Sequence, residues 1–509
     1  MNRRYFFFVL VSVIGIALVF HSTIGVTQQR APIAPDPVQE AQTPRQVQIT
    51  RPEQQPTTHD QSDIFSATNA PPSSPVFETQ PDQGKMLGFD FARDPLNAKQ
   101  PMQPAEEIVK NDIADKPKVT AAQQQLLERL YVLTPKLDPS AKMSRGKPLP
   151  VGPTARLQGM TWQTLVKMAP DEIRKRGVFP YPSLPHPKHA SGGMVFPQMQ
   201  IDMFPRLERF DVQFDIPDAF LPEFPAAVFL QNRPELGDVS RGEVISINNF
   251  HRLFKDLLTP VQLDGLRLLV TPFPQEEFNA TDDRKTMQPS LGVSCLDCHI
   301  NGHTTGQFHL NPDNRPQHRR LRLDTTSLRG MSNQQIHGSK RSLRSVEDFT
   351  EFEQRTAYFN GDPIRALKKG ANLLDRVEAS HMAQGQNMFD FPPAPKLTPL
   401  GRLDPTKATQ NELRGEALFF GKAQCATCHI PPFYLDDKMH DLKVERFLNE
   451  PPDGPIKTFT LRGIKDSPPY LHDGRLLTLE DTVEFFNLVL GLQLNEQEKK
   501  DLVAFMRQL

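Results

Sequence analysis

Cys295-Leu296-Asp297-Cys298-His299 and Cys425-Ala426-Thr427-Cys428-His429 use all four cysteines of the chain, and both read Cys-x-x-Cys-His. That is the spacing of covalent c-type haem attachment. Two thiols three positions apart on a tight turn can each add to one vinyl group of the same porphyrin. The adjacent histidine then lies under the iron as its proximal ligand. A lone Cys-x-x-Cys could be a redox or zinc site, but no Cys-rich second half accompanies either pair. Four cysteines in two equal pairs also exclude a disulfide-stapled scaffold. The expected cofactors are two covalently bound haem c groups, with His299 and His429 on the irons. Opposite them, several side chains could reach an iron. His303, His309 and His318 follow the first motif, and Met439 and His440 follow the second. Each could be a distal ligand, or could instead meet solvent or a haem propionate.

The second motif belongs to a repeat of the first. Ser327-Leu328-Arg329-Gly330-Met331 matches Thr460-Leu461-Arg462-Gly463-Ile464 at an offset of 133, and the same offset carries Ser345-Val346-Glu347-Asp348 onto Thr478-Leu479-Glu480-Asp481. Over residues 327–353 and 460–486 there are 8 identities in 27 positions, so the chain contains two related haem units. In each, the Ser/Thr-x-Glu-Asp segment should open a helix, with the hydroxyl as N-cap and acids in the first turn. The copies differ one step further on, where Glu353 in the first stands opposite Phe486 in the second. If that helix faces the haem, one iron meets a carboxylate and the other an apolar ring. Such asymmetry gives one haem for chemistry and one for electron storage.

Pro469-Tyr470-Leu471-His472-Asp473-Gly474-Arg475, leading into Thr478-Leu479-Glu480-Asp481, resembles the C-terminal haem domain of bacterial dihaem cytochrome c peroxidases and MauG-type enzymes. So does Leu418-Phe419-Phe420-Gly421-Lys422 before the second motif. The resemblance covers roughly residues 285–509. It implies a mainly α fold of two cytochrome c-like haem domains in a pseudo-two-fold arrangement. It further implies hydrogen peroxide reacting at the N-terminal haem and electrons passing through the C-terminal haem. A small donor protein (a cytochrome c or a cupredoxin) or a quinol-linked chain would supply the electrons. Glu353 falls close to the family's distal catalytic glutamate, which takes the first proton from peroxide and returns it to the leaving oxygen. His472 and Arg475 would contact haem propionates or stabilise the interdomain interface. Oxidation of a protein side chain, oxygenation of an organic polymer or lipid, and simple electron transfer are the competing functions.

Three positions depart from that family. Phe486 stands where the family has Met or Tyr as sixth ligand of the C-terminal haem. Either that haem is five-coordinate, or Met439, His440, Tyr470 or another residue serves. The tryptophan between the haems is replaced by Gln335-Ile336-His337-Gly338, with the lone Trp162 far upstream. Electron exchange would then use direct haem proximity or a tyrosine such as Tyr470 or Tyr358. The asparagine of an interdomain calcium site aligns with Gly330, leaving only backbone carbonyls at Ser467 and Pro469.

The elements that must hold these groups are readable in outline. Near the C-terminus, Asn495 and Glu498 form a capping box, and Leu502, Phe505, Met506 and Leu509 form a packing stripe on the helix that follows. Leu126, Leu127, Leu130 and Leu133 make a helical stripe over 121–133, and 246–270 is helical in period with an interruption near Pro260. Phe210, Val212, Phe214 and Ile216 alternate as a strand. These upstream pieces read as a mixed α/β accessory domain, 119–270, preceding haem domains at 271–400 (peroxidatic) and 401–509 (electron transfer). Residues 28–105 carry 13 prolines and almost no apolar periodicity, so 28–118 reads as a Pro/Gln-rich disordered tether. Arg3, Arg4 and an apolar run at 5–20 make residues 1–27 a signal peptide, or an anchor if it is not cleaved. Export to the periplasm follows, with a membrane tether at the N-terminus if the anchor is kept. With 59 Lys plus Arg against 60 Asp plus Glu, no basic field exists to hold nucleic acid.

Overall fold

Side-chain caps and close-packed glycines set the frame on which both motifs sit. In a computed structural model of the chain, the residues described are 105–183, 194–205, 216–272, 294–310, 322–334, 336–339, 343–353, 374–450 and 452–509. They are helix-rich, with helices α1 (Ala105–Leu130), α2 (Pro260–Leu269), α3 (Val346–Phe352), α4 (Arg376–Gln386), α5 (Gln410–Phe420), α6 (Leu479–Val489) and α7 (Glu496–Met506). The strands are short: β1 (Leu137–Lys142), β2 (Pro148–Pro150), β3 (Met194–Val195), β4 (Phe308–Leu310), β5 (Arg322–Asp324), β6 (Met439–His440) and β7 (Ile456–Lys457). They pair antiparallel as β1-β2, β3-β4-β5 and β6-β7. Among the described residues no helix is long and apolar enough to cross a membrane. The expected leader at 1–27 lies outside them, as do 206–215 of the expected strand; Ile216 is buried.

One arrangement occurs twice. Helix α2 starts at Thr259 with a capping box to Gln262, and α5 starts at Thr409 with one to Glu412, which satisfies two otherwise free N–H groups at each helix start. Helix α2 packs on α4, and α5 on α7, through glycines with no room for a side chain. A Cβ on Gly265 would lie 1.9 Å from the His381 carbonyl oxygen, and one on Gly415 1.9 Å from that of Asp501. After each motif, Gly330 (φ 71°) and Gly463 (φ 72°) open a 3-10 turn in the left-handed region. Their N–H groups donate to Phe389 and Leu509, each 2.9 Å away and each just beyond the last helix of its copy. The bridge His337↔Leu343 has its counterpart in Tyr470↔Leu476. Ser345 and Thr478 then cap α3 and α6 by accepting from the N–H of Asp348 and Asp481, as their sequence requires. The capping box of Asn495 and Glu498 at α7 is also present.

The upstream residues are built into both copies. Leu127, Tyr131 and Phe179 share a core with Phe419, Phe485 and Phe505 around the second motif. Val228, Leu230, Phe254 and Leu266 share another with Leu296, Leu328 and Met382 around the first. The stretch 119–270, expected as an accessory domain, thus divides its buried side chains between the two cores. Strand β3 likewise joins it to β4, which follows the first motif. The expected tether is too long by its last residues, because 105–118 already belong to α1. Ala, Glu, Lys and Asp are frequent there, and helix-forming Ala, Glu and Lys outweigh Pro117.

The glycine crossings give a stability prediction. Gly415→Ala should cost about 1–3 kcal/mol through overpacking against α7. Denaturant unfolding of the holoprotein measures this, and an unchanged midpoint would mean that the helices can separate there at no cost.

Candidate functional site

The first motif forms a single helical turn, Cys295–Cys298, started by Ser294, whose N–H donates to Asp297 Oδ2 at 2.6 Å. The chain leaves the helix at His299 (φ −105°, ψ 57°), which turns the imidazole so that Nδ1 lies 2.8 Å from the Thr326 carbonyl oxygen. At the second motif the turn is a 3-10 helix, Cys425–Thr427, and His429 Nδ1 lies 2.9 Å from the Tyr434 carbonyl oxygen. A carbonyl only accepts, so Nδ1 carries the proton in both rings and Nε2 keeps its lone pair for a metal. Such a bond also orients the ring and raises its basicity as a ligand. Burial lowers the pKa of His429, which keeps it neutral as ligation requires.

None of the four cysteines is in a disulfide, and they differ from a redox dithiol. Catalytic thiols have a lowered pKa. Here burial pushes Cys425 up to about 12 and raises Cys428, while burial and then the Glu353 carboxylate raise Cys295. The donor set therefore fits covalently attached haem better than disulfide exchange.

A cavity of about 320 Å³ opens beside the second motif, with Cys428 and His429 on its wall. Tyr470, His440, Phe486 and Met506 line it too, and so do His303 and Thr326 from the first copy. Met439 does not. Of the candidates for the second iron, His440 donates from Nε2 to Asp436 Oδ2 at 2.7 Å, while Tyr470 is a buried phenol whose pKa is raised by burial and by Glu480. Met506, read from the sequence as packing only, is a wall residue that its helical stripe could not distinguish from core. His303 is committed: Nε2–H donates to the Asp466 carbonyl (2.8 Å), so Nδ1 accepts from the Ser327 hydroxyl (2.8 Å). Burial holds its pKa well below the usual value. The His309 side chain and all of His318 lie outside the described residues.

Arg475 and His472 are both on the cavity wall. Arg475 is 3% exposed and donates to Asp473 Oδ2 (2.6 Å), Ser183 Oγ (2.5 Å) and the Tyr181 carbonyl (3.1 Å), with Glu450 at 3.5 Å. His472 Nε2 lies 3.6 Å from Asp453. The guanidinium thus ties residues 181–183 to the second copy.

Glu353 follows α3 at its C-cap and is half-buried, electrostatically close to Cys295. Its counterpart Phe486 lies on α6 against the cavity of the second motif. At the position expected to have lost a calcium ligand, a Cβ on Gly330 would meet the Phe391 ring at 2.0 Å. The glycine therefore leaves no room for a side-chain ligand at that position. Trp162 packs edge-on against Phe179, 5.1 Å away, in the core of the second motif.

No family model matches the chain. Over 118 residues it is 35% identical to the methylamine utilization protein MauG of Methylorubrum extorquens, covering 19% of this chain and 33% of that protein. Over 147 residues it is 31% identical to the cytochrome-c peroxidase IdrP1 of Denitromonas iodatirespirans, covering 19% and 39%. The chain is related to the dihaem cytochrome c peroxidase and MauG superfamily. It spans only about a third to two fifths of the length of these curated relatives. A solved MauG-like protein associated with microbial copper homeostasis aligns over 50% of this chain and 90% of its own, at 17% identity and TM-score 0.34.

The Arg475 network gives a pH prediction. Burial pushes the Glu450 carboxyl up to about 7, with Arg475 drawing it down and Asp453 and Asp473 raising it. The folded state therefore holds a proton that the unfolded chain releases. Glu450 stabilises the fold fully below its ordinary pKa, and this contribution is lost as pH rises toward 7. Relative to wild type, Glu450→Gln should gain on the order of 2 kcal/mol between pH 4.5 and pH 7.5, as measured by denaturant unfolding.

Proposed function

We propose that the chain is an exported dihaem c-type peroxidase that reduces hydrogen peroxide at the first motif with electrons passed through the second. The observation that carries this reading is the difference between two otherwise matching copies: a carboxylate, Glu353, beside Cys295, and a phenyl ring, Phe486, on the cavity of His429. Two curated relatives, a MauG and a cytochrome-c peroxidase, support the same class of chemistry.

The residues have separable tasks. His299 and His429 would hold the haem irons through Nε2 while Thr326 and Tyr434 fix their Nδ1 protons. Cys295 and Cys298, and Cys425 and Cys428, would form the thioether bonds. Each haem, when bound, supplies one-electron redox chemistry and, where its sixth position is open, the means to cleave an O–O bond. The Glu353 carboxylate would accept a proton from one peroxide oxygen and return it to the other. Phe486 offers no such group. Electrons would come from a small donor protein, a cytochrome c or a cupredoxin, or from a quinol-linked chain. A MauG-like oxidation of a protein side chain is the second reading, favoured by the 35% identity to that relative.

Two variants test the first reading. Replacing either motif's cysteine pair with serine should reduce covalent haem from two per chain to one, as counted by the pyridine haemochrome spectrum. Glu353→Gln should keep both haems and lose on the order of 10²- to 10⁴-fold in peroxide turnover. Undiminished turnover would remove Glu353 from the mechanism.

A further inference from the structure

Within the repeat, residue 337 stands to the first copy as residue 470 stands to the second. His337 and Leu343 exchange backbone bonds of 2.7 and 3.3 Å, and Tyr470 and Leu476 exchange bonds of the same lengths. The same offset of 133 relates Glu347, one of two acids that act on His337, to Glu480, one of two that act on Tyr470. It also relates Glu353 to Phe486. In the second copy, Tyr470 and Phe486 line one cavity together with His429. Where that cavity has a phenol and a phenyl ring, the first copy has an imidazole and a carboxylate.

We propose that His337 lines the first haem site with Glu353 and is a second hydrogen-bonding group for peroxide there. The proposal rests on the peroxidase reading and extends it by one residue. His337 is 7% exposed. The charged groups acting on it are Lys457, Glu347 and Asp437, and burial, first, with Lys457, brings its pKa down to about 4. A neutral imidazole presents one N–H donor and one lone pair. It can therefore hold one peroxide oxygen while Glu353 moves the proton. In balance, one hydrogen peroxide, two electrons from the reduced donor and two protons from solvent give two waters. The O–O bond breaks, and the proton that Glu353 takes from one oxygen is returned to the other.

The test uses the full-chain ferric holoprotein and three variants. His337→Phe and His337→Leu remove the nitrogens at different sizes, and His337→Gln restores a hydrogen-bonding side chain. Fluoride, titrated optically, probes hydrogen bonding at the first haem independently of turnover. Both apolar variants should bind fluoride about tenfold more weakly and turn over peroxide about tenfold more slowly, with haem content and the second haem's spectrum unchanged. His337→Gln should recover most of the fluoride affinity. Wild-type fluoride binding in a folded apolar variant would overturn the proposal. So would a low-spin first haem that becomes high-spin only in the variants, because His337 would then be an iron ligand. If wild type fails to turn over peroxide, the peroxidase reading falls, and the fluoride contrast alone decides where His337 lies.

Discussion

A single buried carboxylate, Asp466, registers the two copies against each other. It accepts from Arg329 Nη1 of the first copy at 3.1 Å, and from the Ser144 N–H and hydroxyl of the upstream segment at 3.0 and 2.5 Å. Its backbone carbonyl accepts from His303 Nε2 at 2.8 Å. The Arg329 and Asp466 side chains are each 5% exposed, so the pair must be fully satisfied or cost several kcal/mol. Ala227 accepts from Nη2 at 2.7 Å and Ser144 takes up the remaining capacity of the carboxylate, while the buried Nε is left without a partner among the described residues. Across this joint, His303 and Thr326 of the first copy form part of the cavity lined by His429. Thr326 does both things at once: its carbonyl holds His299, and it lines the cavity of His429.

On that joint the chain uses one frame twice and changes what faces the reaction. Capping boxes, glycine crossings and left-handed glycines recur because they are requirements of backbone and packing. The differences fall on 337 against 470 and 353 against 486, where a side chain can change without altering the frame. Under the proposed function, matched scaffolds with unmatched linings would let one haem exchange protons with a substrate while the other is kept from doing so.

Much of this was legible in the sequence because it is local. The Cys-x-x-Cys-His spacing, the hydroxyl caps at Ser345 and Thr478 and the capping box at Asn495 each depend on residues a few positions apart, and the 133-residue register is a comparison of such local patterns. The rest was not. Gly265 and Gly415 look like ordinary helix-weakening residues until the partner helix is in place. Leu127 and Leu266 carry similar periodic patterns yet enter different cores, which only long-range packing decides. By spacing, His303 could be a ligand or a propionate contact, and Met506 reads as core. The first is claimed by Ser327 and Asp466, and the second faces a cavity; neither follows from spacing. The start of α1 was hidden by a proline-rich neighbourhood whose composition changes gradually.

On this reading the two haem units on one frame are chemically unequal. Electron paramagnetic resonance of the ferric holoprotein, before and after stoichiometric hydrogen peroxide, tests it most directly. The account predicts two distinguishable haem signals, with peroxide acting first on one of them. Two superimposable low-spin signals that peroxide leaves unchanged would contradict it.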